Sequence, residues 1–251
     1  MKFSLSTKPV LEESTHCLVL PVVDGKKLPA ITAEVDKASR GAISAAIKAG
    51  DVTSARGKAQ LLRSLSGIAS ERVLLVGCGK TDSLDSSQFI EILQGAAQAL
   101  KQTGCASVSC YLTTLAVKDR DPQWNLAMAV QTFARATYRF SELKSSKPAP
   151  AKLKRVALNI GDTPSALAKT ARQTITIHAA IADGVDLARD LGNRPGNICT
   201  PVYLAEQAKQ LAGDLKLKIN ILDEAKMSKE GMGSLLSVGR GSREESRLIV
   251  L

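Results

Sequence analysis

A chain of 251 residues is long for one domain and short for two large ones, and a hydrophobic content of 44% is enough to bury a core. Aromatic residues make up only 3%, so that core is built mainly from Ala, Leu, Val and Ile. This mixture of helix and strand formers points to a mixed α/β fold. The net charge of +10 fits an acidic partner such as nucleic acid and also fits an ordinary basic surface. The even spread of charge and the scarcity of stacking side chains favour the second. Five cysteines without a CxxC pair argue for a reducing compartment and against a disulfide framework. The opening residues contain Lys8, Pro9, Glu12 and Glu13, which leave no signal-peptide h-region. No run approaches the roughly 18 apolar residues of a membrane span. A cytoplasmic protein with no membrane partner is expected.

In chain order, KFSLST alternates and reads as a strand, and HCLVLPV (16–22) is a second, buried one. Residues 31–49 carry Ile31, Val35, Ala38, Ala42, Ile43, Ala46 and Ile47 at helical spacing and predict one helix ending at Gly50-Asp51. RVLLVGCGK (72–80) predicts a buried strand and a glycine turn. A helix is expected over 85–104, a strand over 107–113, a helix over 124–144 and a strand over 155–160. The longest helical pattern is 164–192, with Thr163 as N-cap and Pro164 at N1. Either it is one helix of roughly 40 Å, able to act as a strut, or it breaks near Thr174–Thr176. Thr200 is expected to cap the next helix. LKINIL (217–222) and RLIVL (247–251) predict strands, the last as a buried strand of a parallel sheet. The segment 193–251 holds about one βαβ unit, which cannot cover both faces of a sheet. The chain therefore reads as cut short inside a second domain, unless RLIVL docks on the first domain as an edge strand.

No motif assembles an active site. Gly77 and Gly79 form half of a dinucleotide fingerprint, but Asp82 stands where a third glycine belongs, so a tight turn is the better reading. His16 and His178, the two histidines, lack ligating neighbours at helical or strand spacing. Asp183, Asp186 and Asp190 line one helix stripe with Arg189 beside them, which suits surface pairing. The glycines of SVGRGS (237–242) suit a helix-to-strand turn better than a ligand contact. The basic segment Lys144, Lys147, Lys152, Lys154 and Arg155 could meet phosphates, although a solvated loop is the simpler reading.

The stretch DLARDLGNRPGNICTP (186–201) changes the picture. Ala188-Arg189-Asp190-Leu191, Asn193-Arg194-Pro195-Gly196-Asn197 and Thr200-Pro201 resemble the interdomain segment of the leucyl (cytosol) aminopeptidase family. RVLLVGCGK, YRFSELKSSK and GMGSLLSVGRGSREESRLIVL resemble other stretches of that family in the same order. The resemblance implies a macro-domain-like N-terminal α/β domain (1–162), a long connecting helix (163–192) and the incomplete start of an α/β/α metallopeptidase domain (193–251). It also implies a hydrolase acting on N-terminal residues of peptides, assembled as a homo-hexamer. Two divalent ions (Mn²⁺, Zn²⁺ or Mg²⁺) would activate water in the whole enzyme. The family's metal ligands lie in a Gly-Lys-Gly-x-x-x-Asp-type and an Asn-Thr-Asp-Ala-Glu-Gly-Arg-type segment, and neither occurs here. No catalytic or metal-binding residue is therefore assigned, no metal is expected on this chain, and the chain alone is expected to be inactive. Some bacterial members of the family also bind DNA, an alternative role that the net charge suits. Nucleotide binding through the macro-like domain is a weaker idea, opposed by the incomplete GCGK pattern.

Overall fold

The computed structural model describes residues 1–25, 27–146, 149, 151–161 and 165–251. They form two compact units, Met1–Gly184 and Val185–Leu251. The first unit is built on strands β1 (Lys2–Ser6), β2 (Cys17–Val23), β3 (Ala59–Arg63), β4 (Arg72–Gly79), β5 (Ser107–Cys110) and β6 (Arg155–Asn159). Their order is β1-β6-β5-β2-β4-β3. All neighbours are parallel except β3, which pairs antiparallel with β4.

The sequence of β2, CLVLPVV, has no polar alternation because both of its faces are covered. Successive side chains leave toward opposite faces. Cys17 and Val19 join Leu74, Val76 and Cys78 of β4 in one core. Leu18, Leu20 and Val22 join Val73 and Leu75 in the other. The first core is closed by α3 (Ser86–Lys101) and α4 (Pro122–Thr137) through Phe89, Ile92, Leu126, Val130 and Phe133. The second is closed by α1 (Ala30–Ala38) and α2 (Ala42–Lys48) through Val35 and Ile43. Caps fix where the long helices start. Asp85 and Gln88 form a reciprocal capping box on α3, and Asp121 accepts from the Trp124 N–H at 2.8 Å with Pro122 in the first turn of α4.

The helix expected over 31–49 is two helices. The chain turns at Arg40 and Gly41, both with positive φ (57° and 81°). Asp36 of α1 holds the break, since its carboxylate accepts from the N–H groups of Ile43 and Ser44 at 2.8 and 2.9 Å. The helix expected over 124–144 stops at Thr137, where Tyr138 takes an extended conformation (φ −60°, ψ 136°). The strand expected over 107–113 ends at Cys110 and gives way to a 3-10 turn, Leu112–Thr114. There the Thr114 hydroxyl donates to the Tyr111 carbonyl at 2.7 Å. Strand β3 has no counterpart in the sequence reading.

Helix α5 (Ser165–Asn193) is continuous through Thr174–Thr176. The expected cap at Thr163-Pro164 lies outside the described residues. Ala168, Ala171 and Ile175 of α5 are buried in the first unit. In the second unit, Ile198 and Cys199 donate to the Pro195 carbonyl at 2.9 Å each. This turn delivers Thr200, whose hydroxyl caps α6 (Pro201–Leu215) by accepting from Tyr203. Strand β7 (Asn220–Leu222) is followed by α7 (Glu224–Lys229), α8 (Gly233–Gly239) and β8 (Leu248–Val250). The expected parallel pairing of RLIVL is not found. β8 pairs antiparallel with β7 in a two-stranded sheet, because α7 and α8 return the chain as a hairpin-like excursion and not as a crossover. Its side chains are not deeply buried, and Val250 is 50% exposed.

Gly77, expected in a tight turn, instead lies inside β4 opposite Val22, and only Gly79 at the strand's end has a positive φ (66°). A Cβ at Gly77 would stand 2.2 Å from the Ala55 carbonyl oxygen, and one at Gly95 of α3 would stand 2.1 Å from the Gly57 carbonyl oxygen. Segment 54–58 is thus in main-chain contact with both β4 and α3. Gly77→Ala is expected to destabilise the chain by about 1–3 kcal/mol through overpacking. Gly104→Ala, where a Cβ meets nothing within 4 Å, should stay within about 0.5 kcal/mol. Denaturant midpoints of the two variants check the difference.

Candidate functional site

Open α/β sheets place ligand sites beyond the carboxyl ends of the strands, where the strand order reverses. Here β2 connects onward to the β3–β4 side, and β5 connects onward to the β6 side, so the reversal lies between β2 and β5. The two strands pair only over Cys17–Val19 and Val108–Cys110. The last rung is the Tyr111 N–H donating to the Val19 carbonyl at 2.9 Å. Past it, the β5 side of β2 is open. Pro21 sits two residues further, with its main-chain groups on that same side by strand alternation. A missing N–H costs nothing there, and the Pro21 carbonyl is satisfied by the Thr32 hydroxyl at 2.7 Å.

The gap is a cleft of about 690 Å³. Val10, Pro21, Ile31 and Leu115 give it an apolar wall, and among the described residues Lys8 and Glu34 are the charged ones that line it. Asn159 and Gly161 close the end of β6, with the Gly161 N–H donating to Asn159 Oδ1 at 2.7 Å. The start of α1, Pro29-Ala30-Ile31, forms another edge. Pro29 is the N-cap and offers no side-chain acceptor, so the first N–H groups of α1 have no side-chain cap. Tyr111 is 1% exposed, and its hydroxyl has no hydrogen-bond partner among the described residues. Burial raises the Tyr111 phenol above its ordinary range, and the Glu13 and Glu34 carboxylates add to the effect, so it remains a protonated donor. Glu13 is itself buried, accepting from the hydroxyls of Ser6 and Ser109. Sequence reasoning missed this cleft entirely. Its one advance signal was a proline inside an otherwise central strand.

Of the basic residues picked out from the sequence, Lys144, Lys152, Lys154 and Arg155 are exposed, and Lys147 lies outside the described residues. Arg155 is the first residue of β6 and stands opposite Lys2 of β1. That is the amino end of the strand, away from the cleft. His16 meets Ser107 Oγ at 2.9 Å, and His178 meets Gln131 at 2.9 Å. Arg189 pairs with Asp186 at 3.5 Å on the surface of α5. The turn expected at SVGRGS is formed, with the Ser242 N–H donating to the Gly239 carbonyl at 2.9 Å. Among the described residues no three His, Cys, Asp or Glu side chains converge as metal ligands would. They do not fit a dinuclear centre.

A buried thiol pair lies at the amino end of β2. The Cys105 thiol is held below its ordinary range, first by a hydrogen bond from Cys17, with help from Thr103 and from the Arg72 guanidinium 3.8 Å from its sulfur. The same hydrogen bond, and then burial, hold Cys17 above its range. A depressed folded-state value gives stability that is present above the unfolded value and lost as pH falls through the folded one. The raised Cys17 acts only on the alkaline side. Stability should therefore decline from neutral to mildly acidic buffer, and Cys105→Ala should make that decline shallower. Denaturant midpoints at several pH values check this, and equal slopes in both proteins would refute it.

A family model described as the cytosol aminopeptidase family, N-terminal domain, matches residues 19–147, and the model of that family's catalytic domain matches 186–251. A probable cytosol aminopeptidase of Alkalilimnicola ehrlichii is 41% identical over 253 aligned positions, covering 100% of this chain and 50% of the relative. The cytosol aminopeptidase of Haemophilus influenzae is 36% identical, covering 96% and 48%. A mutant of tomato leucine aminopeptidase is similar in fold, with a TM-score of 0.77 at 20% identity over 99% of this chain and 50% of its own. The bottromycin maturation enzyme BotP gives 0.69 at 22% identity, covering 94% and 45%. The chain spans about half the length of the curated relatives it matches. With both domain models matched in order, the chain belongs to the cytosol aminopeptidase family.

Proposed function

We propose that these residues are the N-terminal part of an aminopeptidase that removes N-terminal residues from peptides in the cytoplasm. The observation that carries this is the ordered match to both family domains at about half the relatives' length. The division we propose is 1–162 for the N-terminal domain, 163–192 for the connecting helix and 193–251 for the start of the catalytic domain. The family resemblance brings with it two divalent ions and a hexameric assembly, both of which we assign to the whole protein. The described residues supply no ligand set, so no catalytic step is assigned to a side chain of this chain. Incubated with Mn²⁺ and leucine amide, the 251-residue chain is expected to release no leucine above the blank. Turnover would overturn this reading.

A second role, nucleic-acid binding, is favoured by one observation. The β1–β6 register sets Lys2 opposite Arg155, with Lys152 and Lys154 exposed nearby in the chain. Phosphate contacts predict an affinity for duplex DNA that falls steeply with salt. Replacing Lys154 and Arg155 by Glu should weaken it. A gel-shift experiment without retardation at low salt would remove this role.

A further inference from the structure

A cluster of reactive groups at the amino end of β2 is used neither by the cleft nor by the peptidase reading. Cys105 lies in the loop between α3 and β5. Its sulfur stands 3.8 Å from Arg72 Nη1 and 3.9 Å from the carbonyl oxygen of His16, the residue before Cys17. The Cys17 and Cys105 thiols are in hydrogen-bonding contact with each other. Cys17 opens β2 and Arg72 opens β4, and the two strands pair from Leu18 and Val73 onward. Three segments far apart in the chain thus bring two sulfurs and a guanidinium together.

The two sulfurs are not equivalent. The thiolate, not the thiol, attacks an electrophile. Contact with Cys17 and the neighbouring Arg72 cation favour the anion at Cys105 and hold it down to about 5. Contact with Cys105, and then burial, keep Cys17 a thiol. Arg72 is shared, since the same nitrogen donates to Glu71 Oε2 at 2.8 Å, and His16 Nε2 stands 3.9 Å from Glu71 Oε1. A readily ionised sulfur beside a protonated one is the arrangement of an attacking and a resolving cysteine. Cys78 and Cys110 contrast with this pair, because burial pushes both up to about 12.

Access to the pair is narrow. Cys105 is buried. Arg72 beside it keeps 27% of its side chain exposed, and a Cβ on the adjacent Gly104 would meet nothing within 4 Å. The sulfur therefore lies about one side chain beneath solvent, a depth that suits a small uncharged oxidant.

We infer that Cys105 and Cys17 are a modification site at which hydrogen peroxide converts two neighbouring thiols into a reversible disulfide. The Cys105 sulfur attacks one peroxide oxygen. The S–O bond forms, the O–O bond breaks, and the hydroxide that leaves takes up the proton Cys105 had given to solvent. The Cys17 sulfur then attacks the Cys105 sulfenic acid at sulfur. The S–S bond forms, the S–O bond breaks, and the departing hydroxide leaves as water with the Cys17 proton. Two thiols and one peroxide give one disulfide and two waters, and an added dithiol reverses the change. Transient disulfides of this kind are compatible with a reducing compartment. The inference stands on the thiol pair alone and does not depend on the chain being part of a peptidase.

The test is peptide mass mapping, without reduction, of the 251-residue chain after treatment with hydrogen peroxide. The peptides of Cys17 and Cys105 should be joined, and dithiothreitol should separate them. Cys78 and Cys110 should stay reduced. In Cys17→Ala, Cys105 should stop at the sulfenic acid, which dimedone captures. In Cys105→Ala, Cys17 should remain a thiol. The oxidation rate should rise less than about twofold between about pH 7 and about pH 8.5, against about fifteenfold for a thiol of ordinary pKa. Arg72→Gln should steepen that rise, and Arg72→Lys should restore the shallow one. Cys105 remaining reduced after peroxide has oxidised glutathione in the same tube, a disulfide to a different cysteine, or an ordinary fifteenfold rise with pH would each overturn the inference.

Discussion

Both cores of the first unit depend on the alternating side chains of β2. Cys17 and Val19 anchor one, and Leu18, Leu20 and Val22 anchor the other. Each fully buried side chain of the Val or Leu kind contributes about 1.5–3 kcal/mol, and a strand that supplies both layers cannot shift register without emptying both. That fixes the placement of α1 and α2 on one side and of α3 and α4 on the other. It also fixes where the sheet stops. β5 ends at Cys110 while β2 continues to Val23, and the unequal strand ends open the cleft.

The cleft therefore follows from strand length before it follows from any polar residue. Its polar groups are by-products of local solutions to local problems. Proline 29 starts α1 well but leaves the first turn without an acceptor. Tyr111 fills the core beside Leu20 and Val35 with its ring and brings a hydroxyl along. Burying such a group unpartnered costs roughly 1–3 kcal/mol, a sizeable fraction of the stability of an ordinary domain.

Much of the fold was legible in the sequence because apolar runs and caps act locally. The strands at β1, β2, β4 and β6, the Thr200 cap and helix α5 could all be read from pattern alone. The failures share a cause in tertiary geometry. Residues 31–49 keep a helical period across Arg40-Gly41, and only the reach of Asp36 to Ile43 and Ser44 breaks it. β3 has adjacent Leu61 and Leu62 instead of an alternation, since an antiparallel edge strand is defined by its partner. The direction of RLIVL depended on where β7 lay. The cleft could not be read from the sequence because it is a difference in length between two strands that are far apart in the chain. The family was legible because its signature, around Asn193 to Pro201, is a continuous stretch.

The contacts at Gly77 and Gly95 have a further consequence for how this unit can change over evolutionary time. Most core positions can exchange volume with a neighbour, a larger residue here offset by a smaller one there. Segment 54–58 meets β4 and α3 through carbonyl oxygens and glycine α-carbons, so no side chain at the seam can shrink in compensation. The two glycines are independent single points of failure. Sequence drift should be absorbed by the Val and Leu positions of the two cores, while the spacing of main chain against main chain stays constant.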